Sequence, residues 1–471
     1  MKSLERPLIP ALRCLALLIA GVTATLAAYW PGFMTWDAIR QYGQAVSGEF
    51  DDWHPPAMEW LWQHLIAIHA GPAPMLVLQL ALLWGGLALL AAWALREQRG
   101  GLAVAIMACG LMPFSLALTG EVLKDCLMAG ALMLVAGLIA WNEGTRRRIA
   151  LPVLGIMLLV FASTLRFNAF LAVVPLALAL LPTATRKGPL RIGTTALIVA
   201  ALSLATMPLA NRLLGAKPSG VGLSLVIFDL GGITHFSGQN AFPPIEDFDD
   251  SDDPTGIVSA CYDASKWDRF AWWGAAPCDI GFDNVKEAFE QQHISPFGWW
   301  LRQVAAHPIA YAEHRLAHFN INMRLLSRDS TERAVQIESP PNDWGYKLRP
   351  NPILSVVDVA AMWSANTPLG WPIAWLALAL GLLILSPSLP TRLIVPLALS
   401  ALLYGLGYGV FSVASELRYH LWTMLATAVA AVIAGADLWG GAPVSKRQCL
   451  IAGLPLGAVL VLSVTWRLIV P

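Results

Sequence analysis

Eleven apolar stretches, each close to the length that crosses a bilayer, constrain this chain more than any other feature. They fall near 10–30, 73–95, 101–119, 122–141, 149–165, 169–184, 192–210, 369–386, 393–411, 421–439 and 449–466. A crossing helix needs about 20 consecutive apolar residues. Within hydrocarbon the backbone must satisfy its own hydrogen bonds, which helices do segment by segment. Of the 471 residues, 56% are hydrophobic and 13% charged, against about 25% charged in soluble domains. The expected fold is an all-α polytopic membrane protein with about eleven transmembrane helices. The first stretch runs longer than the h-region of a signal peptide, about 7–15 residues, and AAYWPG is a poor cleavage site. It is expected to remain as the first span.

Charge placement sets the topology. Outside 211–352 there are 19 Lys and Arg. Fourteen lie at alternate ends of the spans: Lys2, Arg6, Arg13, Arg96, Arg99, Arg146, Arg147, Arg148, Arg186, Lys187, Arg191, Arg392, Lys446 and Arg447. Lys and Arg accumulate on the cytoplasmic side, so these ends are expected inside. The opposite ends carry Arg40, Lys124, Arg166, Arg418 and Arg467, and all nine histidines share their side. The N-terminus is then cytoplasmic and the C-terminus outside. With no organellar targeting, this fits a bacterial inner membrane with a periplasmic outer face.

Three regions follow: an N-terminal membrane core at 1–210, a small periplasmic soluble domain at 211–352, and C-terminal membrane helices at 353–471. The soluble region holds 12 Lys/Arg against 18 Asp/Glu. The first outer loop, 31–72, contains two amphipathic patterns suited to interfacial helices. One runs through Trp36, Ile39, Tyr42 and Val46, the other through Trp60, Leu61, Leu65 and Ile68. The stretch 353–366 looks like a further interfacial helix. Cys14, Cys109, Cys126 and Cys449 fall in apolar runs and read as small core residues. Cys261 and Cys278 lie in the polar region and could pair if it is exported.

Four outer connections keep ionisable residues at the membrane surface: Asp37 with His54; Glu121, Lys124 and Asp125; Arg166; and Glu416, Arg418 and Tyr419. An ionisable group at such a place is a functional candidate. Gathered over one cavity, they would offer carboxylates for base or metal work and cations for a phosphate. A polyprenyl-phosphate sugar fits such a set, its tail in the bilayer and its sugar outside. Asp37 would act as general base towards an acceptor hydroxyl, or help position a metal, with Asp125 as the second catalytic acid. His54, Glu121, Lys124, Arg166, Arg418 and Tyr419 would bind substrate, the cations stabilising the departing phosphate.

Each residue also has a structural role open to it. Asp37 could cap the helix after Thr35, and Glu121 and Asp125 could face a helix N-terminus. Arg166 and Arg418 could snorkel to headgroups, and His54 could bond backbone. No metal-ligand spacing compels a site, although Asp37, His54, Glu121 and Asp125 could hold a divalent ion. The acidic run EDFDDSDDP (246–254) lacks the glycine and terminal glutamate of an EF-hand loop and reads as solvated. His307, His314 and His318 in HPIAYAEHRLAHF suit an amphipathic surface helix better than a metal site.

The layout TWDAIRQYGQA…DDWHPP, an acid after the first span followed by His-Pro-Pro, resembles the first outer loop of protein O-mannosyltransferases and related GT-C glycosyltransferases. KD opening the fourth span, ELRY before a late span and a HP..Y..HR stretch are similar to bacterial members of that superfamily. The resemblance implies a transferase that uses a polyprenyl-phosphate-linked sugar donor and a membrane lipid or glycan acceptor, with no nucleic acid involved. It places Asp37 at the reacting centre, with His54, Asp125 and Arg418 near it. Mannosyltransferases carry Asp-Glu where this chain has Asp37-Ala38, and nothing resembles their trefoil-type luminal domain. Three other classes compete: an O-antigen-ligase-like transferase using Arg and His of the large outer segment, a lipid-linked sugar transporter or flippase, and a non-enzymatic envelope scaffold.

Overall fold

The computed structural model describes residues 2–142, 150–182, 188–245, 253–273, 278–328 and 338–470, the first six of these by backbone alone. Arg146, Arg147, Arg148, Arg186 and Lys187 lie outside the described residues, as do the side chains of Lys2 and Arg6 and most of the acidic run 246–254. Regular structure among the described residues is helical, with only isolated β-bridges besides.

The chain divides into two compact units. The first comprises residues 1–217, 329–406 and 417–465; the second comprises 218–328, 407–416 and 466–471. The Pro- and Gly-punctuated helices that open the first unit are α1 (Lys2–Tyr29), α2 (Trp36–Ser47), α3 (Pro56–Ile66), α4 (Ala73–Arg96) and α5 (Gly100–Cys109). They continue through α6 (Pro113–Leu118), α7 (Lys124–Asn142), α8 (Ala150–Ser163), α9 (Ala169–Leu180) and α10 (Pro189–Leu213). The second unit contains α11 (Gly222–Ser237), α12 (Pro254–Cys261), α13 (Phe282–Gln291), α14 (Pro296–Ala306) and α15 (Pro308–Met323). The first unit resumes with α16 (Pro352–Ala365), α17 (Pro372–Leu385), α18 (Ile394–Gly407), α19 (Leu421–Trp439) and α20 (Lys446–Ile469).

Among the described residues six helices are long and apolar enough to cross a membrane: α1, α4, α7, α10, α19 with the 3₁₀ turn before it, and α20. The other expected runs form shorter apolar helices. The run 101–119, expected as one span, is broken into α5 and α6 by Pro113, which lacks the N–H that a continuous helix needs. In the first unit α7 is the central helix, buried nearly all round and packed along α4. A Cβ at Gly86 of α4 would meet the Met133 backbone of α7 at 2.4 Å. That approach is the small-residue packing by which membrane helices associate. Helices α10 and α20 instead expose most of their apolar surface, as lipid-facing helices do.

The second unit is built on α11 against α15, with α12, α13 and α14 around α11. A disulfide joins Cys261 to Cys278. HPIAYAEHRLAHF forms the helix α15 with one exposed face, through Ile309, Glu313 and Leu316, and its buried face holds His314 and His318. Both rings pack edge-on to Phe228. His314 Nε2 also lies 3.0 Å from the buried Asp229 carboxylate. A partner acid in the core makes the inward face the favourable one, which the polar spacing of the sequence did not disclose.

Candidate functional site

The site is assembled by the loop that follows α1. Phe33 N–H donates to the Gly120 carbonyl at 3.2 Å, and Val122 N–H donates to the Phe33 carbonyl at 2.9 Å. This bridge fixes the loop beside the start of α7. Gln79 of α4 braces the same turn, donating to the Thr119 and Glu121 carbonyls at 2.8 and 2.7 Å. Thr35 then caps α2, its hydroxyl accepting from Ala38 N–H at 3.4 Å. Asp37 is therefore not the cap, and its carboxylate is available for other partners.

The connection between α2 and α3 is closed by local bonds. Gly48 ends α2 at φ 74, and Asp51 accepts from Trp53 N–H at 2.9 Å while pairing with Arg40 at 2.6 Å. Pro56 starts α3 at its first helical position, where no N–H is required. His54 is thereby held at the mouth of the helix pair. At the far end of the loop, Tyr42 accepts from Gly71 N–H at 2.9 Å, and Trp62 donates to the Gly71 carbonyl at 3.0 Å. Gly71 has φ +98, and a Cβ there would strike the Tyr346 ring.

Asp37 lies at the centre. Its Oδ2 is 2.9 Å from Arg418 Nη2, and its Oδ1 is 3.9 Å from His54 Nε2. Lys124 Nζ donates to His54 Nδ1 at 2.7 Å. An ammonium offers only donors, so His54 accepts at Nδ1 and carries its proton at Nε2, towards Asp37. Arg166 pairs with Asp125 at 3.1 Å. The Arg166 and Arg418 guanidiniums lie 4.5 and 5.4 Å from the centre of the Tyr419 ring. Two chains of contact thus leave Asp37, one through His54 to Lys124, the other through Arg418 and Tyr419 to Arg166 and Asp125.

Burial on its own would raise the Asp37 pKa. The Arg418 charge, with that of Lys124 and the hydrogen bond from Arg418, outweighs it and holds the carboxyl well below the usual carboxylate range. Burial, reinforced by Lys124, depresses His54 well below the ordinary imidazole value and keeps it neutral, against the opposing pull of Asp37. Asp37 retains 29% side-chain exposure where its neighbours keep far less, so it is the part of the cluster that solvent reaches.

Of the expected site residues, Asp37, His54, Lys124, Asp125, Arg166, Arg418 and Tyr419 come together. Glu121 is buried three residues before Lys124, and its charge, like that of Asp358, acts on Tyr29. The divalent site suggested for Asp37, His54, Glu121 and Asp125 does not form. Among the described residues no group of three or more His, Cys, Asp or Glu is placed to hold a metal ion. Asp37 has Arg418 and Asp125 has Arg166, so cations of the chain already balance these carboxylates.

Two further polar residues, Gln41 and Glu59, lie beside the cluster with no exposed surface. Sequence periodicity passed over both, because it read the apolar stripes of α2 and α3 for the bilayer interface and left their opposite faces unassigned. The buried faces run instead through Ala38, Gln41, Tyr42 and Ala45 of α2, and through Met58, Glu59 and Trp62 of α3. Trp36, Val46, Trp60 and Ile68 of the expected stripes point outward. The spacing of Gln41, four residues after Asp37, was the available signal. The chain matches no protein-family model and no curated protein sequence.

Proposed function

We propose that the protein is a membrane glycosyltransferase that moves a sugar from a polyprenyl-phosphate donor to an envelope glycan or lipid acceptor. The observation that carries this reading is the convergence, around one part-exposed acid, of the neutral His54 and the cations Lys124, Arg166 and Arg418. They come from separate segments at the ends of apolar helices. The acceptor hydroxyl gives its proton to Asp37 as its oxygen attacks the anomeric carbon. The bond from that carbon to the phosphate oxygen breaks, and its electron pair stays with the departing lipid phosphate. Arg418, Lys124 and Arg166 stabilise the charge that develops there. A single displacement of this kind inverts the anomeric centre.

The ion pair with Arg418 makes Asp37 a poor base at rest, since proton abstraction favours a pKa nearer the working pH. A donor phosphate competes with Asp37 for that guanidinium, because Arg binds phosphate through the same fork it offers a carboxylate. Donor binding therefore raises the basicity of Asp37 at the moment it is needed. Asp125 serves this scheme through Arg166, which it orients. In the membrane we place eleven crossings, the N-terminus in the cytoplasm, and the cluster and the 211–352 region on the periplasmic side of a bacterial inner membrane. The alternation of basic residues and the Cys261–Cys278 disulfide, a bond suited to oxidising compartments, support that orientation.

The ligase-like alternative is less well supported. It would use Arg and His of the large outer segment, where Arg315 and His314, which share Asp229, are buried, and the exposed His235, His293 and Arg302 lie outside α15. The test is Asp37→Asn and Arg418→Ala in the native host, scored by mass spectrometry of envelope glycans and lipid-linked sugars. Loss of one sugar from the glycan with accumulation of its lipid-linked donor is expected. Wild-type glycans in both variants would defeat the transferase reading.

A further inference from the structure

Beside the Asp37 cluster lie two buried polar side chains that the transfer scheme leaves unused. Gln41 sits one turn after Asp37 on the same face of α2, since residues four apart on a helix are neighbours. Glu59 lies on the face of α3 that is buried with Met58 and Trp62. Both side chains have zero exposure. The amide nitrogen and oxygen of Gln41 and both carboxyl oxygens of Glu59 have no hydrogen-bond partner among the described residues. An unmet buried polar group costs about 1–3 kcal/mol, so two such side chains on neighbouring helices call for a polar guest.

The surroundings define its chemistry. The charges that Glu59 feels most are Asp51, on the preceding loop, Lys124 at the start of α7, and Arg40 on α2. Burial first, and then Asp51, push the Glu59 pKa up to about 9 against the two cations, so at neutral pH it is an uncharged acid. An uncharged carboxyl and a primary amide each offer a donor and an acceptor. A free cation would meet Lys124 and Arg40, and a free anion would meet Asp37 and Asp51. A neutral hydroxyl, which both donates and accepts, complements the pair without either conflict.

We propose that Gln41 and Glu59 form a hydroxyl-binding subsite next to Asp37 that grips the sugar of a lipid-linked donor and distinguishes it from the bare lipid phosphate. This rests on the transferase reading and adds to it a sugar contact on α2 and α3, set apart from the phosphate contacts of Lys124, Arg166 and Arg418. A hydroxyl of the sugar and a structural water share the same chemistry, and the test separates them.

The full-length protein in nanodiscs is titrated with undecaprenyl phosphate, undecaprenyl-phosphoryl-glucose and undecaprenyl-phosphoryl-mannose. The signal is the fluorescence of the tryptophans in the first outer loop. Gln41→Met and Glu59→Met are compared with wild type, and the thermal midpoint of each is recorded without ligand. The expectation is that wild type binds at least one sugar-bearing lipid about tenfold more tightly than undecaprenyl phosphate. Each variant should lose most of that preference, keep its affinity for undecaprenyl phosphate, and melt no lower than wild type. A lowered midpoint with the sugar preference intact means the two groups hold structural water, and overturns the subsite. Full sugar preference at an unchanged midpoint overturns it too. If wild type binds none of the three lipids, the transferase reading falls and takes the sugar subsite with it. Binding of undecaprenyl phosphate with no preference for either sugar overturns the subsite alone.

Discussion

Each unit of the protein holds an acid among a histidine, an arginine and an aromatic ring, and the two groups are closed to different degrees. In the second unit Asp229 has no exposure, and its oxygens are taken by His314 at 3.0 Å, Trp300 at 2.7 Å and Arg315. The remaining ring nitrogen of His314 is 2.8 Å from the Tyr262 hydroxyl. In the first unit Asp37 keeps 29% exposure, its histidine stops 3.9 Å short, and its strongest contact is the single ion pair with Arg418. Satisfied buried networks rigidify a fold. An acid with an open side and an exchangeable partner can respond to a ligand. Side-chain inventory alone does not separate the two groups; closure does.

The same substitution at both acids gives the strongest contrast. Asp229→Asn leaves Arg315 buried without its counter-charge, and breaking such a pair costs about 3–5 kcal/mol. A large fall in the unfolding midpoint of the purified protein is expected. Asp37→Asn should change stability by less than about 1 kcal/mol, as for part-exposed pairs, while lowering sugar transfer by about 10²–10⁴-fold, the usual scale of a lost general base. Two variants with the same loss of midpoint would erase the distinction.

Glu59 sharpens the comparison from another side, as a buried acid without the partners of Asp229. Its ordinary pKa is about 4.3, and in the fold it rises to about 9. Below the ordinary value both folded and unfolded chains are protonated, and its contribution to stability is fully present. Between the two values the unfolded chain releases the proton and the folded one keeps it, so stability falls as pH rises to about 9. The slope is at most about 1.4 kcal/mol per pH unit. Glu59→Gln should flatten the midpoint-against-pH curve in that window and leave it unchanged at pH below 4. A curve as steep as wild type would mean that Glu59 is ionised in the fold.

The sequence made the membrane character and the converging outer connections legible. Span-length apolar runs announce themselves by composition, and ionisable residues at their ends stand out against it. Gln41 and Glu59 were hidden for the opposite reason. On α2 and α3 the outward face is apolar, with Trp36 and Trp60 exposed, and polar side chains are buried beside the site. Periodicity reads the apolar stripe for the bilayer interface and leaves the opposite, buried face of each helix unread. The same inversion hid the buried faces of His314 and His318. The partner of His314 is Asp229, 85 residues away in the chain, and that of His318 is the Ala264 carbonyl, 54 residues away, separations that no local pattern spans. The break of 101–119 at Pro113 lay in plain view, but an averaged hydropathy does not weigh a single missing N–H.

The smallest predicted effect concerns the rings beneath the cations. Tyr419 supports Arg166 and Arg418 together, and Phe228 lies 5.8 Å from Arg315. A cation over an aromatic face contributes about 0.5–1 kcal/mol at exposed sites. Tyr419→Leu should thus cost about 1 kcal/mol, read as a fall in affinity for undecaprenyl phosphate of about fivefold, because the two guanidiniums proposed to face the phosphate lose their backing. Tyr419→Phe keeps the ring and should bind as wild type does. Phe228→Leu is a near volume-conserving change in a core and should cost less than about 1.5 kcal/mol, read only as a lower unfolding midpoint. In the second unit the cation is already fixed by Asp229, so its ring adds stability. On the proposed transfer the cations around Asp37 exchange partners, and the ring would hold them in place while they do. Equal affinity in Tyr419→Leu and Tyr419→Phe would leave Tyr419 as packing and return the positioning of Arg166 to Asp125 alone.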